Sequence, residues 1–399
     1  MTRLMKDSGI EWIGEMPETW TLRRLRFLCD ISTGNQDTQD NDPDGEYPFY
    51  VRSPIVERSR RYTFEGPAIL MAGDGVGAGK VFHYVDGKYG CHQRVYSMQH
   101  IRDIYRKFLF YYLQNRFVIS IETANSKSTV DSVRLPMLQD FPVAMPSLSE
   151  QRRIADFLDR RCAEIDAVIE RTKATIEEYK KLKQAVITEA VTKGVRGARK
   201  MKDSGIEWIG EIAEAHPLIK LKHVCQILDQ YRSPVTADQR SQSGEVLFDY
   251  YGASGAIDKI DSYTIDDHVM LIGEDGANLR LRNLPLMYEV NGKAWINNHA
   301  HILKPNAGTD FYYLFYALEA LDINPYITGS AQPKLSQENL RNILIPMPCL
   351  DEQREIAAYI REKSVALDTL IAKKNALLTE LETYKKSLIY EYVTGKKEV

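Results

Sequence analysis

The string GDGVGAGK, Gly73 to Lys80, is the stretch of this 399-residue chain that comes nearest to a nucleotide-binding loop. As a GxxxxGK[ST] phosphate loop it fails at both ends: the first glycine would have to stand at Asp74, and Val81 replaces the hydroxyl that would hold magnesium. As a dinucleotide fingerprint, GDGVGA fits GxGxxA. The run that follows, KVFHYV, is strand-like, however, and cannot open the helix whose N-terminus would bind a pyrophosphate. A glycine-rich turn between two strands is the simpler reading. Two further strings fall short in the same way. Asn324-Pro325-Tyr326 lacks the second proline of an NPPY amino-methyltransferase motif, and Pro43-Asp44 is followed by Glu46 and Tyr47 without the lysine of a PD-(D/E)xK nuclease.

Metal chemistry has equally little to stand on. Cys29, Cys91, Cys162, Cys225 and Cys349 are scattered, with no CxxC pair, which disfavours a structural zinc or a disulfide framework. His299 and His301 form the one tight histidine pair; alternation along a strand explains it at least as well as a metal does. Without an acid/base pair, a nucleophile elbow or a metal cage, the chain reads as non-catalytic.

Recognition remains. The net charge is −3, so any polyanion must be met by local groups rather than by bulk charge. Residues 20–146 hold 16 Lys plus Arg against 14 Asp plus Glu, and residues 217–348 hold 11 against 15, so neither region is basic as a whole. Candidate duplex contacts in the first region are Arg58, Arg60, Arg61, Lys80, His92, Gln93 and Arg94. In the second they are Lys220, Lys222, Arg232, Arg280, Arg282, Asn297, Asn298 and His299. The reason is chemical: arginine forks match guanine, and Asn or Gln amides match adenine, in a major groove. CHQR and NNHA occupy matching places after a Gly-Lys pair.

The elements that position these groups come in two sets. MKDSGIEWIGE fills residues 5–15 and returns at 201–211. PSLSEQRRIADFLD, from Pro146, is matched by PCLDEQREIAAYIR, from Pro348. An internal repeat of half the chain length therefore organises the fold. Between the matched blocks, short β-branched and aromatic runs are cut by Gly, Pro and Asp, predicting two mixed α/β globules of one fold with different surfaces. From Leu148 to Lys193, and from Leu350 to Thr394, there is neither Pro nor Gly, and apolar residues recur three and four apart. Two long helices with coiled-coil-like seams follow, N-capped at Ser147 or Ser149 and at Asp351, and C-capped at Gly194 and Gly395. Trp12 and Trp208 would anchor the two copies of the opening phrase. The second opening, EIAEAH against EMPETW, loses the Pro17 and Trp20 equivalents, and NSKSTVDSV stands where the second copy has GSAQPKLSQ, so the twofold is approximate.

The order GIEWIGE, variable globule, P-x-L-x-EQ-R-x-I-A, long helix, all of it twice, resembles the specificity subunits of type I restriction-modification enzymes, the HsdS family. TGSAQPKL, Thr328 to Leu335, resembles a hallmark of the same family. The resemblance covers essentially the whole chain. It implies an α/β architecture of two mixed α+β target-recognition domains, 1–146 and 196–348, joined by two long conserved helices, 147–195 and 349–399. Those helices would form an antiparallel coiled coil with pseudo-twofold symmetry. Each globule would read half of a split sequence in double-stranded DNA. The partners implied are two modification (methyltransferase) subunits and restriction (translocase/endonuclease) subunits; S-adenosylmethionine, ATP and Mg would belong to them, with no cofactor in this chain. No apolar run reaches the roughly 18–20 residues of a membrane span, so no membrane partner and a cytoplasmic location are expected. A coiled-coil scaffold for proteins, and an independent nuclease or methyltransferase, are the alternative classes.

Overall fold

The computed structural model describes residues 3–124, 132–207, 209–236 and 246–399. The chain divides into two compact units, Met1–Lys173 with Asn375–Val399, and Ala174–Lys374.

In the first unit the opening phrase is a hairpin, β1 (Met5–Asp7) antiparallel to β2 (Glu15–Pro17). Its tip is fixed locally: the Asp7 carboxylate accepts from Gly9 N at 2.9 Å, and Gly14 takes a φ of 65° that a side chain would resist. Trp12 stacks on Phe141 with ring centroids 5.2 Å apart, and the Arg116 guanidinium lies over the Trp12 ring and donates to its backbone carbonyl. The phrase is thus an apolar anchor in this unit. Trp208, its counterpart, lies outside the described residues.

The strands β3 (Thr21–Arg24), β4 (Asp30–Thr33), β5 (Tyr47–Tyr50), β6 (Glu57–Ser59), β7 (Phe64–Glu65), β8 (Ala68–Ala72), β9 (Phe82–Val85), β10 (Lys88–Cys91) and β11 (Val95–Gln99) follow. All but β3 make two four-stranded sheets, β4-β11-β8-β9 and β6-β5-β10-β7, the second with β5 and β10 parallel. Gly73 to Lys80 is the turn joining β8 to its antiparallel neighbour β9, as the sequence suggests. Helix α1 (Arg106–Ala124) carries Phe108, Tyr112 and Phe117 into a core with Trp20, Leu25 and Phe141. After α2 (Leu135–Gln139), β12 (Pro142–Met145) pairs with β3 and returns the chain to the globule's start before α3 (Leu148–Lys193).

The second unit repeats this order. A hairpin of β13 (Met201–Asp203) and β14 (Glu211–Ala213) precedes β15 (Leu218–Lys220), β16 (Cys225–Ile227), β17 (Phe248–Gly252), β18 (Gly255–Ile260) and β19 (Ile265–Gly273). After α4 (Asn278–Leu281) come β20 (Met287–Ile296), β21 (Ala300–Pro305), α5 (Phe311–Ala320), α6 (Gln337–Asn342) and β22 (Leu344–Pro346), which pairs with β15. One six-stranded sheet, β16-β21-β19-β20-β17-β18, here replaces two, and β17 and β20 run parallel as β5 and β10 do. Helix α7 (Leu350–Val393) closes the chain.

Within each unit the start of one long helix lies beside the end of the other. In the first, Ile154, Leu158, Ile165 and Ile169 of α3 share a core with Leu388, Ile389 and Val393 of α7, and Lys385 pairs with Asp166 at 2.6 Å. In the second, Ile187, Ala190 and Val191 of α3 join Ile356, Ala357 and Ile360 of α7, and Lys183 pairs with Asp368 at 2.7 Å. Along the apolar rows that recur three and four apart, Tyr179 and Val186 of α3, and Ile371, Leu378, Leu381 and Tyr392 of α7, are half-buried rather than buried. Ser147 caps α3, its hydroxyl accepting from Glu150 N at 3.3 Å. The Asp351 cap is corrected: α7 opens at Leu350, so Asp351 stands inside the first turn, where its charge complements the positive end of the helix dipole. Gly194 and Gly395 end the helices with φ of 75° and 71°.

The repeated Glu-Gln is explained by two joints. Gln151 is buried; its amide donates to Pro146 O at 2.9 Å and accepts from Tyr105 N, just before α1, at 2.7 Å. Gln353 does the same, to Pro348 O at 2.9 Å and from Asp310 N at 2.8 Å. One side chain thereby fixes the long helix to both neighbouring segments of its globule. The preceding glutamates meet equivalent arginines, Glu150 with Arg3 at 2.7 Å and Glu352 with Arg199 at 2.5 Å. His216 takes the place of Trp20, fully buried like it, and its Nε2 lies 3.2 Å from Glu352. The junctions therefore differ in chemistry while keeping one geometry. Replacing Gln353 by Leu strips the Asp310 N–H of its acceptor and should cost about 1–3 kcal/mol, raising hydrogen exchange at the start of α5 while leaving α1 unchanged.

Candidate nucleic-acid interface

The parallel strand pairs place the candidate readers at equivalent points. His92 N donates to Tyr50 O at 3.0 Å, and Asn297 N donates to Tyr251 O at 3.0 Å. Each buried side chain then turns back to hold the loop: His92 Nδ1 accepts from Arg94 N at 3.0 Å, and Asn297 Oδ1 accepts from His299 N at 2.8 Å. Gln93 and Asn298 are thus left exposed at the tip. The third residue of each loop meets a carboxylate, Arg94 with Asp74 at 2.5 Å and His299 with Asp275 at 2.8 Å. Asp74 and Asp275 were not among the sequence candidates; the shared Gly-Asp or Glu-Asp after each buried strand was the available signal. Arg94 stays 58% exposed in its side chain, so Asp74 orients a fork that is still open to a ligand.

Around the first loop lies a hollow of about 650 Å³ lined by Arg52, Glu57, Asp74, Val76, Lys80 and His92. Lys80 makes no ion pair among the described residues, whereas Arg52 shares Asp74 at 3.1 Å. Arg58, Arg60 and Arg61 stand apart, on β6 and beyond. Arg58 donates to Gly45 O and Glu46 O at 2.7 and 2.9 Å, Arg60 pairs with Asp42, and Arg61 pairs with Asp40 at 2.8 Å. The triplet thus fastens the 40–46 loop as it faces solvent.

In the second unit only Arg232 joins the reader loop. It pairs with Glu274 and with Asp229 at 3.3 Å, and donates to Asn298 O at 3.2 Å. Arg280 donates to Gly329 O at 3.1 Å, inside TGSAQPKL. Arg282 lies against the end of α5, donating to Glu319 O and to Leu321 O at 3.3 Å. Lys220 reaches Asn342 at 3.1 Å, and Lys222 is exposed in the turn after β15. The structure does not gather these four with Asn297, Asn298 and His299.

A strap crosses each reader from the far side. Val133 N donates to Gly73 O at 2.7 Å and Leu335 N to Glu274 O at 2.7 Å. The carbonyls of the same two residues are held by Tyr96 Oη at 3.0 Å and His301 Nε2 at 2.8 Å. His301 also meets Asp229 at 2.7 Å through Nδ1, which accounts for the HAH string as a buried tie. Among the described residues no group of three or more His, Cys, Asp or Glu is placed to hold a metal ion. Burial pushes the Cys29, Cys91 and Cys225 thiols up to about 12, away from thiolate chemistry. No helix among the described residues is long and apolar enough to cross a membrane.

A duplicated α/β globule, each copy tied to one long helix and each presenting different polar groups at the same strand end, defines a protein built around two recognition modules. Comparison makes this specific. The family described as type I restriction modification DNA specificity domain matches residues 17–178 and 218–382. The chain belongs to that family. It is 24% identical to the type I restriction enzyme EcoDI specificity subunit of Escherichia coli, over 96% of this chain and 90% of that protein. It is 25% identical to the MjaVIII specificity subunit of Methanocaldococcus jannaschii, over 96% and 94%. A solved structure described under complex assembly and conformational transition of the type I R-M system shares the fold, with a TM-score of 0.71, 16% identity, and 96% and 99% of the two chains covered.

The Asp229 tie yields a pH prediction. Burial raises the carboxyl, but the bonds from His301 and Ile302 and the Arg232 charge outweigh it and hold Asp229 below its ordinary value. Such a group contributes stability that is complete above the unfolded value near ~4 and is lost as pH falls through the lower folded value. Melting followed at Trp295 should therefore drop on acidification below about pH 4. Asp229→Asn should lower the melting temperature at pH 7 and flatten that acid limb.

Proposed function

We propose that this chain is the DNA-reading subunit of a type I restriction-modification complex. Residues 1–146 and 196–348 each read one half-site of a bipartite duplex target, and the helices at 147–195 and 349–399 run antiparallel as a coiled coil that sets the spacing between them. A 46-residue helix rises about 69 Å, a length on the scale of separations between half-sites along a duplex. The chain itself performs no covalent step. It directs two modification subunits, which would supply S-adenosylmethionine chemistry on adenine, and restriction subunits, which would supply ATP- and Mg-dependent translocation and cleavage. The location is cytoplasmic, with the host DNA.

The observation that carries this reading is the contrast between joints and rims. The Gln151 and Gln353 ties are alike bond for bond, whereas the equivalent loop positions hold His92, Gln93 and Arg94 in one globule and Asn297, Asn298 and His299 in the other. Matching joints with different donor and acceptor sets suit two different half-sites.

Co-expressed with its modification subunit, the chain should direct adenine methylation to an interrupted, asymmetric motif, read by sequencing that detects modified bases. Arg94→Ala should relax or weaken the first half-site alone, and His299→Ala the second alone, by about 1–3 kcal/mol. Methylation at a continuous motif, or at unchanged sites without this chain, would refute the assignment.

A further inference from the structure

One feature recurs in both globules although their sequences have otherwise diverged. In the first, Tyr62 meets Tyr47 edge to face with ring centroids 5.2 Å apart, and Lys88 Nζ lies 4.9 Å from the Tyr62 centroid. In the second, Tyr263 meets Phe248 edge to face at 5.3 Å, and Lys293 Nζ lies 4.6 Å from the Tyr263 centroid. The fixings match as well. Thr63 N donates to Tyr89 O and Thr264 N to Ala294 O, both at 2.9 Å. The Thr63 hydroxyl accepts from Cys91 N at 3.2 Å and the Thr264 hydroxyl from Ile296 N at 3.0 Å. Gly87 and Gly292, each at positive φ, turn the chain so that the lysine starts or joins the strand.

These clusters are exposed and uncommitted. Tyr62 and Tyr263 are 43% and 44% exposed. Lys88 and Lys293 stand opposite Glu65 and Asp266 in strand register, yet among the described residues neither lysine makes an ion pair. Most of the arginines near the readers are, by contrast, tied to carboxylates or carbonyls. A buried core does not require an exposed ring under an unpaired ammonium, and the same group at the same place in two divergent modules implies a ligand feature common to both.

We propose that the Tyr62–Lys88 and Tyr263–Lys293 clusters grip the sugar–phosphate backbone of the duplex, one cluster at each half-site. The inference rests on the DNA-reading function proposed above. Two half-sites of different sequence share the phosphate backbone and little else, so contacts that position are free to repeat where contacts that specify must differ. Lysine supplies the charge, and the ring face packs on sugar beside it. The spacing fits: Lys88 stands four positions before His92, and Lys293 four positions before Asn297. At about 3.3 Å per strand residue that is about 13 Å, so a loop tip at the base edges leaves the lysine within reach of the phosphates that border a major groove ~12 Å wide.

The test uses the assembled complex with its modification subunits and measures duplex affinity over a salt series, for the methylated motif and for a duplex altered in one half-site. Lys88→Gln and Lys293→Gln should each lower the slope of log K against log salt by about 1, and the double variant by about 2. Both duplexes should weaken by the same factor, so the preference between them stays as in wild type, and Lys88→Arg should restore the slope. Wild-type slope and affinity in the double variant would overturn the proposal. So would loss of the modification subunits at unchanged slope, which would assign the cluster to a protein partner. If instead the wild-type complex shows no preference for the bipartite duplex, it is the functional reading that fails.

Discussion

A helix of 46 residues with an apolar seam along its length cannot be covered by one small globule, and most of this fold follows from that constraint. In each unit a globule covers the first turns of one long helix, and the last turns of the other helix complete the cover. Leu158 is packed with Leu388 and Ile389 in one core, and Ile360 with Ile187 and Val191 in the other. Neither core is made from contiguous sequence.

That dependence explains why the repeated residues concentrate at the joints. A buried glutamine satisfying two backbone groups at once tolerates no neighbour out of place, because an orphaned buried amide costs about 1–3 kcal/mol. The Arg3–Glu150 and Arg199–Glu352 pairs bind the segment just ahead of each opening phrase to a long helix. With the scaffold fixed this way, loops at the strand ends are free to change identity. His92 and Asn297 show how: unlike side chains perform the same turn-holding bond, and the residues beside them change the surface presented.

Much of the architecture was legible in the sequence because it is written in periodicity. The long helices run from Leu148 and Leu350 as their seams predict, and the glycine run at 73–80 is the strand turn that its flanking residues suggest. Less was legible at the rim, where partner choice depends on side chains distant in sequence. Nothing local to Arg282 announces that it will lie on the carbonyls of Glu319 and Leu321, nor does Arg61 announce Asp40. The Asp351 cap failed by a single residue, since Leu350 already has helical backbone. Tyr62-Thr63 and Tyr263-Thr264 were visible as a repeated dipeptide, but their importance lies in the lysine that an antiparallel neighbour, β10 or β20, brings beside them.

The central claim is that each globule is an independent reader of one half-site on a shared scaffold. It is tested most directly by replacing residues 21–145 with residues 217–347, so that the chain carries the second reader twice, and determining the methylated motif in cells that also express the modification subunit. A symmetric target is expected, two inverted copies of the second half-site around the spacer. An unchanged asymmetric motif from a folded, assembled complex would contradict it.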